Sequence, residues 1–194
     1  MPLFSFLLFV LVTYFTPGPN NIMAMALANQ HGLQRTMTFC FGVGAGFFII
    51  AFLCSLFHVM LTSVLPVIEF PLTLMGVGYM LYLAYKILTD KENNGGYRKE
   101  NKNQFLLGFI LQFVNPKGIL TGITVVATFI LPYYDSYVSY LLFSLFLGVA
   151  GVMSSFSWSL FGSIFQKLIS RYRQPFNIIM AILLVYSAFS IFAH

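Results

Sequence analysis

Six long apolar stretches alternate with short polar intervals along the chain, at roughly 3–28, 36–59, 66–88, 105–131, 137–165 and 175–193. A helix rising ~1.5 Å per residue needs about 20 apolar residues to cross the hydrocarbon core of a bilayer. The pattern therefore predicts an all-α membrane protein with six transmembrane helices. The first, fourth and fifth stretches are longer than the minimum, which tilt or an internal break accommodates. One polar interval, Asp90 to Gln104, is of any length, and its Asn93-Asn94-Gly95-Gly96 reads as a flexible linker, with a docked regulatory segment as the alternative.

Two of the stretches are interrupted. Thr16-Pro17-Gly18-Pro19-Asn20-Asn21 lies within a run from Leu3 to Ala28 that carries no charged residue. Pro17 and Pro19 lack the N–H groups that would bond to the carbonyls of Thr13 and Phe15, and their rings clash with the preceding turn. Gly18 adds backbone freedom. In lipid each freed backbone group costs several kcal/mol unless protein or water satisfies it, so the stretch is a broken helix or a re-entrant hairpin beside a lined cavity. Phe113-Val114-Asn115-Pro116-Lys117-Gly118-Ile119 interrupts the fourth stretch in the same way, Pro116 freeing the carbonyl of Gln112. Pro19 and Pro116 stand 97 positions apart, half of the 194 residues, and Ile22 and Ile119 keep that offset. Each half thus opens with a proline-broken span followed by two unbroken ones, and three spans per half insert the halves from opposite sides. That is an inverted repeat, an architecture of secondary transporters that bind substrate where the broken helices meet. The chain reads as one transmembrane domain: repeat 1 over 1–89, a linker over 90–104 and repeat 2 over 105–194.

Composition agrees. The chain is 59% hydrophobic and 8% charged, with mean hydropathy +0.85, against about 25% charged in soluble domains. The first stretch has no preceding Lys or Arg and no small-residue cleavage site, so it is expected to be a retained span rather than a signal peptide. A net charge of +5 and a pI near 9.3 raise the question of nucleic acid. The bases instead sit in short intervals: Arg35 after the first span, Lys86, Lys91, Arg98, Lys99 and Lys102 about the third interval, and Lys167, Arg171 and Arg173 in the fifth. The second and fourth intervals have none. The positive-inside rule makes the basic face cytoplasmic and places both termini outside. Glu69, Asp135 and His58 fall toward the outer side; His58 can titrate near neutrality, though a lone His is more often structural. Cys40 and Cys54 lie too far apart in one helix to pair.

The two interruptions carry the candidate chemistry. A half-helix starting after Pro19 presents unpaired N–H groups about Asn20 and Asn21 and a partial positive charge, which suit an anion. Lys117 adds a full charge within a span, at about 2.5–3.5 kcal/mol on insertion scales, and such a residue is by default a functional hypothesis. The freed carbonyls of Thr13, Phe15 and Gln112, with the side-chain amides of Asn20, Asn21, Asn115 and Gln112, can accept an ammonium. Together they match a small zwitterion, and the expected binding set is Thr16, Pro17, Gly18, Pro19, Asn20, Asn21, Gln112, Asn115, Pro116 and Lys117. The bland alternative is that Lys117 snorkels or braces Asn115 and a loop carbonyl. Gly42-Val43-Gly44-Ala45-Gly46 and Gly148 to Gly151 allow close helix approach, within the monomer or in a homodimer. Tyr79, Tyr82 and Tyr85 share one helix face and read as packing or interfacial anchors. No cofactor or metal ligand set is expected.

On these residues the chain resembles a known family. Thr16-Pro17-Gly18-Pro19-Asn20-Asn21, His31-Gly32, the glycine-rich second span and Asn115-Pro116-Lys117 look like the LysE/RhtB superfamily of bacterial amino-acid exporters. Leu111-Gln112-Phe113-Val114-Asn115 and the tail Asn177 to Phe192, with Leu183-Leu184-Val185-Tyr186, most resemble its cysteine/O-acetylserine branch. The resemblance implies a multi-pass inner-membrane exporter of small amino acids or derivatives driven by the proton gradient. It carries motif roles onto Pro17, Gly18, Pro19, Asn20, Asn115, Pro116 and Lys117. Three other readings compete. A membrane enzyme lacks a nucleophile–base pair, since His31, His58 and His194 are scattered. A metal-ion exporter lacks clustered ligands. A non-transporting assembly protein leaves the paired breaks and Lys117 unexplained.

Overall fold

The computed structural model describes residues 1–89, 103–165 and 171–192. The expected linker up to residue 102, Lys167 and His194 lie outside the described residues, as do the side chains of His58, Glu69 and Lys86; the linker's last residue, Gln104, already opens a helix. Among the described residues all regular structure is helical: α1 Leu3–Phe15, α2 Pro19–His31, α3 Leu33–Leu56, α4 His58–Thr89, α5 Gln104–Val114, α6 Pro116–Val125, α7 Tyr137–Ile164 and α8 Arg173–Phe192. A wider-wound turn, Val126–Ile130, prolongs α6.

The breaks fall at the prolines. The last turn of α1 closes with the Thr16 N–H on the Val12 carbonyl at 3.1 Å, and the Thr16 hydroxyl donates to the same carbonyl. Pro19 then opens α2 in its first turn, where a missing N–H leaves no helical bond unmade. The second break has the same plan, with the Asn115 N–H on the Leu111 carbonyl at 2.9 Å and Pro116 opening α6. The bends are 52° at the first break and 69° at the second. By length and apolarity α3 and α7 can each cross a membrane alone, and each bent pair passes the same test as one unit, giving two to four crossings among the described residues.

α3 is the hub, lying along α7 and α5, while α2 packs on α7 and α4 on α8. Its glycines make this closeness available. A Cβ on Gly44 would stand 2.7 Å from the Gly148 carbonyl oxygen, and one on Gly46 would stand 2.6 Å from the Gln112 Cβ. These glycines therefore serve packing within the chain. One core joins Phe6, Val10 and Tyr14 of α1 to Val125, Ile130 and Leu147; a second joins Ile22 and Met25 of α2 to Met80 of α4 and Leu184 of α8. Between α2 and α3 the chain turns on Gly32 at φ 83°, the one positive φ among the described residues, which only glycine adopts cheaply.

The second interval differs from expectation. The chain turns at Phe57, and α4 runs unbroken through Ser63, Pro66 and Pro71. No glycine or charge stands between His58 and Leu65 to end a helix, and an isolated Thr62-Ser63 does not do so. Tyr82 and Tyr85 are exposed on this helix.

Candidate functional site

At the first break the carbonyls of Tyr14, Phe15, Thr16 and Pro17 are all met by side chains. The Asn21 amide donates to the carbonyls of Tyr14 (2.8 Å) and Thr16 (3.1 Å). From α7, the Ser154 hydroxyl donates to the Tyr14 carbonyl at 2.6 Å and the Trp158 indole to that of Phe15 at 3.1 Å. The remaining partner comes from the other break: Lys117 Nζ donates to the carbonyls of Thr16 and Pro17, each at 3.2 Å. A second bridge runs from the Asn20 amide to Gln112 Oε1, tying α2 to the end of α5. The two interruptions, half a chain apart in sequence, are thus bonded to each other.

Between them lies a cavity of about 30 Å³, room for about two waters. Thr13, Tyr14, Thr16, Gly18, Asn20 and Asn21 line it from the first break; Asn115, Lys117, Gly118 and Thr121 line it from the second, and Phe47 of α3 closes it. Both new helices point their N-termini at it. The first bond within α2 is from the Ile22 N–H to the Gly18 carbonyl at 3.0 Å, and within α6 from the Ile119 N–H to the Asn115 carbonyl at 3.2 Å. Neither Gly18 nor Asn115 caps its helix with a side chain, so the first-turn amides of both helices remain available, with the positive ends of two helix dipoles behind them.

The lining is under-satisfied. Tyr14 Oη, Asn20 Oδ1, Asn115 Oδ1 and, just behind the wall, Gln112 Nε2 are buried without a hydrogen-bond partner among the described residues. A buried polar atom left unpaired costs about 1–3 kcal/mol, and three of these four belong to residues that line the cavity. Tyr14 is held rigidly, its ring stacked on Phe47 at 4.4 Å between centroids.

The ten expected residues converge on this spot. Thr16, Gly18, Asn20, Asn21, Asn115 and Lys117 line the cavity. Pro17 contributes a carbonyl, Pro19 and Pro116 start α2 and α6, and Gln112 holds Asn20. One detail is corrected: the Phe15 carbonyl, expected to be free for an ammonium, is occupied by Trp158 because that indole N–H reaches it from α7. Sequence reasoning named Thr13 only for its carbonyl and passed over Tyr14, Phe47, Thr121, Ser154 and Trp158. The cluster Ser154-Ser155-Phe156-Ser157-Trp158-Ser159, polar within an apolar span and holding the sole tryptophan, was the signal for the last two.

The LysE type translocator profile matches residues 11–193. The chain belongs to the LysE type translocator family. A cysteine/O-acetylserine efflux protein of Salmonella typhimurium is 37% identical over 192 residues, 99% of this chain and 98% of the relative. Its counterpart in Escherichia coli K12 is 36% identical over 188 residues, 97% and 96% of the two chains. No solved structure gives a match. As a LysE type member the chain is a translocator and not an enzyme.

Proposed function

We propose that this translocator exports small zwitterionic amino acids, cysteine, O-acetylserine or similar neutral ones, across the inner membrane of a bacterium, drawing on the proton gradient. The observation that carries this reading is the reach of Lys117 from one helix break to the carbonyls of the other, across a polar cavity. The names of the full-length relatives support the substrate class.

In this reading the chain crosses the bilayer six times as two inverted repeats, 1–89 and 105–194, with both termini outside and lipid covering outward side chains such as Phe4 and Tyr137. The pairing of α3 with α7 and of α4 with α8, each helix with its counterpart half a chain away, supports a two-fold relation. The binding set is the ten residues from Thr16 to Lys117 named above. A substrate carboxylate takes the Lys117 ammonium from the Thr16 and Pro17 carbonyls, since a full negative charge attracts the ammonium more strongly than a carbonyl dipole does. The first-turn amides of α2 and α6 share the anion. Releasing those carbonyls frees the first bend, and the half-helices pivot to open the cavity to the other side.

The test is efflux. Cells overproducing the protein are loaded with dipeptides, and release of free cysteine, serine, threonine, homoserine and lysine is measured. Lys117→Ala is expected to abolish export of the transported members while protein level and membrane insertion persist. Unchanged export in that variant removes Lys117 from the mechanism.

A further inference from the structure

We infer that Tyr14, with Asn20 and Asn115, forms the ammonium end of the substrate site and restricts the cargo to solutes with a free α-amino group. This rests on the reading of the cavity as the substrate site and adds to it a polarity and an exclusion rule.

The side-chain oxygens of these residues share three properties. Their residues line the cavity; they are buried, at 4% exposure for Tyr14, 5% for Asn20 and 4% for Asn115; and none has a hydrogen-bond partner among the described residues. The break's own carbonyls are a poorer choice, because those of Tyr14, Phe15, Thr16 and Pro17 already accept from Asn21, Ser154, Trp158 and Lys117. An ammonium has three N–H donors and no acceptor, and these three cavity-lining residues carry three unpartnered oxygens to meet it. The stacked rings of Tyr14 and Phe47 add negative π faces to the same wall. Lys117 and the amides of two helix starts are donors, so they repel an ammonium and hold the carboxylate. Oxygens that answer a cation and donors that answer an anion thus lie in and around one cavity, as a solute carrying both charges requires.

O-acetylserine and N-acetylserine make a sharp probe. They are isomers of nearly equal size with the same carboxylate, and only the first carries an ammonium. The full-length protein is reconstituted in liposomes preloaded with unlabelled cysteine, and exchange of labelled cysteine is competed with each isomer. In the wild type O-acetylserine is expected to compete at least about tenfold more strongly than N-acetylserine, the discrimination that a hydrogen bond to a charged group supplies. Tyr14→Phe removes the hydroxyl and keeps the ring stack. It should weaken O-acetylserine about tenfold, leave N-acetylserine unchanged and so close the gap. Asn115→Ala, which removes no helix-cap bond, should do the same and serves where Tyr14→Phe fails to insert. Equal competition by the two isomers in the wild type overturns the inference while cysteine exchange itself stands. Variants that weaken both isomers alike also overturn it. Absence of cysteine and O-acetylserine exchange in the wild type overturns the reading of the site on which it rests.

Discussion

Adding one methyl group at Gly118 tests whether the bridge between the two breaks is structural. A Cβ built there collides with the Gln112 amide nitrogen and stands 2.8 Å from its Cδ and 3.1 Å from its Oε1. Gln112 is fully buried and holds Asn20, and the Gly46 backbone lies close against its Cβ and Cγ, so moving the amide aside breaks that bridge. Overpacking of this kind costs about 1–3 kcal/mol. Breaking the Asn20 bridge to relieve it orphans two buried polar atoms at about 1–3 kcal/mol each. The better helix propensity of alanine returns at most about 1 kcal/mol. Gly118→Ala should therefore be destabilised by about 1–5 kcal/mol. The assay is a double-mutant cycle with Gln112→Ala on the detergent-solubilised protein, read as unfolding stability. Truncating Gln112 makes room for the new methyl, so the double variant should lose about 1 kcal/mol or more less than the two single losses together. A Gly118→Ala protein as stable as the wild type, or strictly additive losses, would refute the close contact between α6 and Gln112.

Two further substitutions probe how the breaks are held. Trp158→Phe keeps an aromatic ring but strips the N–H from the Phe15 carbonyl; a loss of about 1–3 kcal/mol in unfolding stability is expected, and a neutral result would mean that another donor serves that carbonyl. Gly32→Ala meets no atom within 4 Å, yet its φ of 83° and ψ of 162° place it in a region essentially confined to glycine, so about 1–3 kcal/mol of destabilisation is expected from backbone strain alone. Melting temperatures of the purified variant against wild type decide it, and no change would mean that the α2–α3 turn relaxes freely.

The helix breaks could be read from sequence because proline acts locally: Pro17, Pro19 and Pro116 forbid specific bonds whatever surrounds them, and the bends stand at those residues. Lys117 stood out for the opposite reason, a charge where the environment is apolar. What sequence could not convey was who answers whom. That Thr16 and Pro17 turn their carbonyls to Lys117, or that Trp158 rather than a solute takes that of Phe15, depends on how α6 and α7 cross α1. Tyr14 and Phe47 were invisible because aromatic residues are frequent here, 18% of the chain, and nothing local distinguishes these from the ones facing lipid. The turn at Phe57 was misplaced because Thr62, Ser63 and Pro66 read locally as an interval, whereas α4 continues through all three.

The lysine and the first break compensate each other. An ammonium inside a membrane protein needs oxygen partners, and a proline-broken helix in the same place needs donors; each is expensive alone. Paired, they form a resting arrangement in which Lys117 spends two of its three N–H groups on Thr16 and Pro17. A neutral solute offers the lysine nothing better than a carbonyl. An anion alone would draw the lysine away but leave the buried oxygens of Tyr14, Asn20 and Asn115 unanswered. A cation alone would satisfy those oxygens while facing Lys117 at close range. Only a solute with a carboxylate and an ammonium a few ångströms apart answers both sets of groups at once, so in the proposed reading a zwitterion is the partner that releases Lys117 from Thr16 and Pro17.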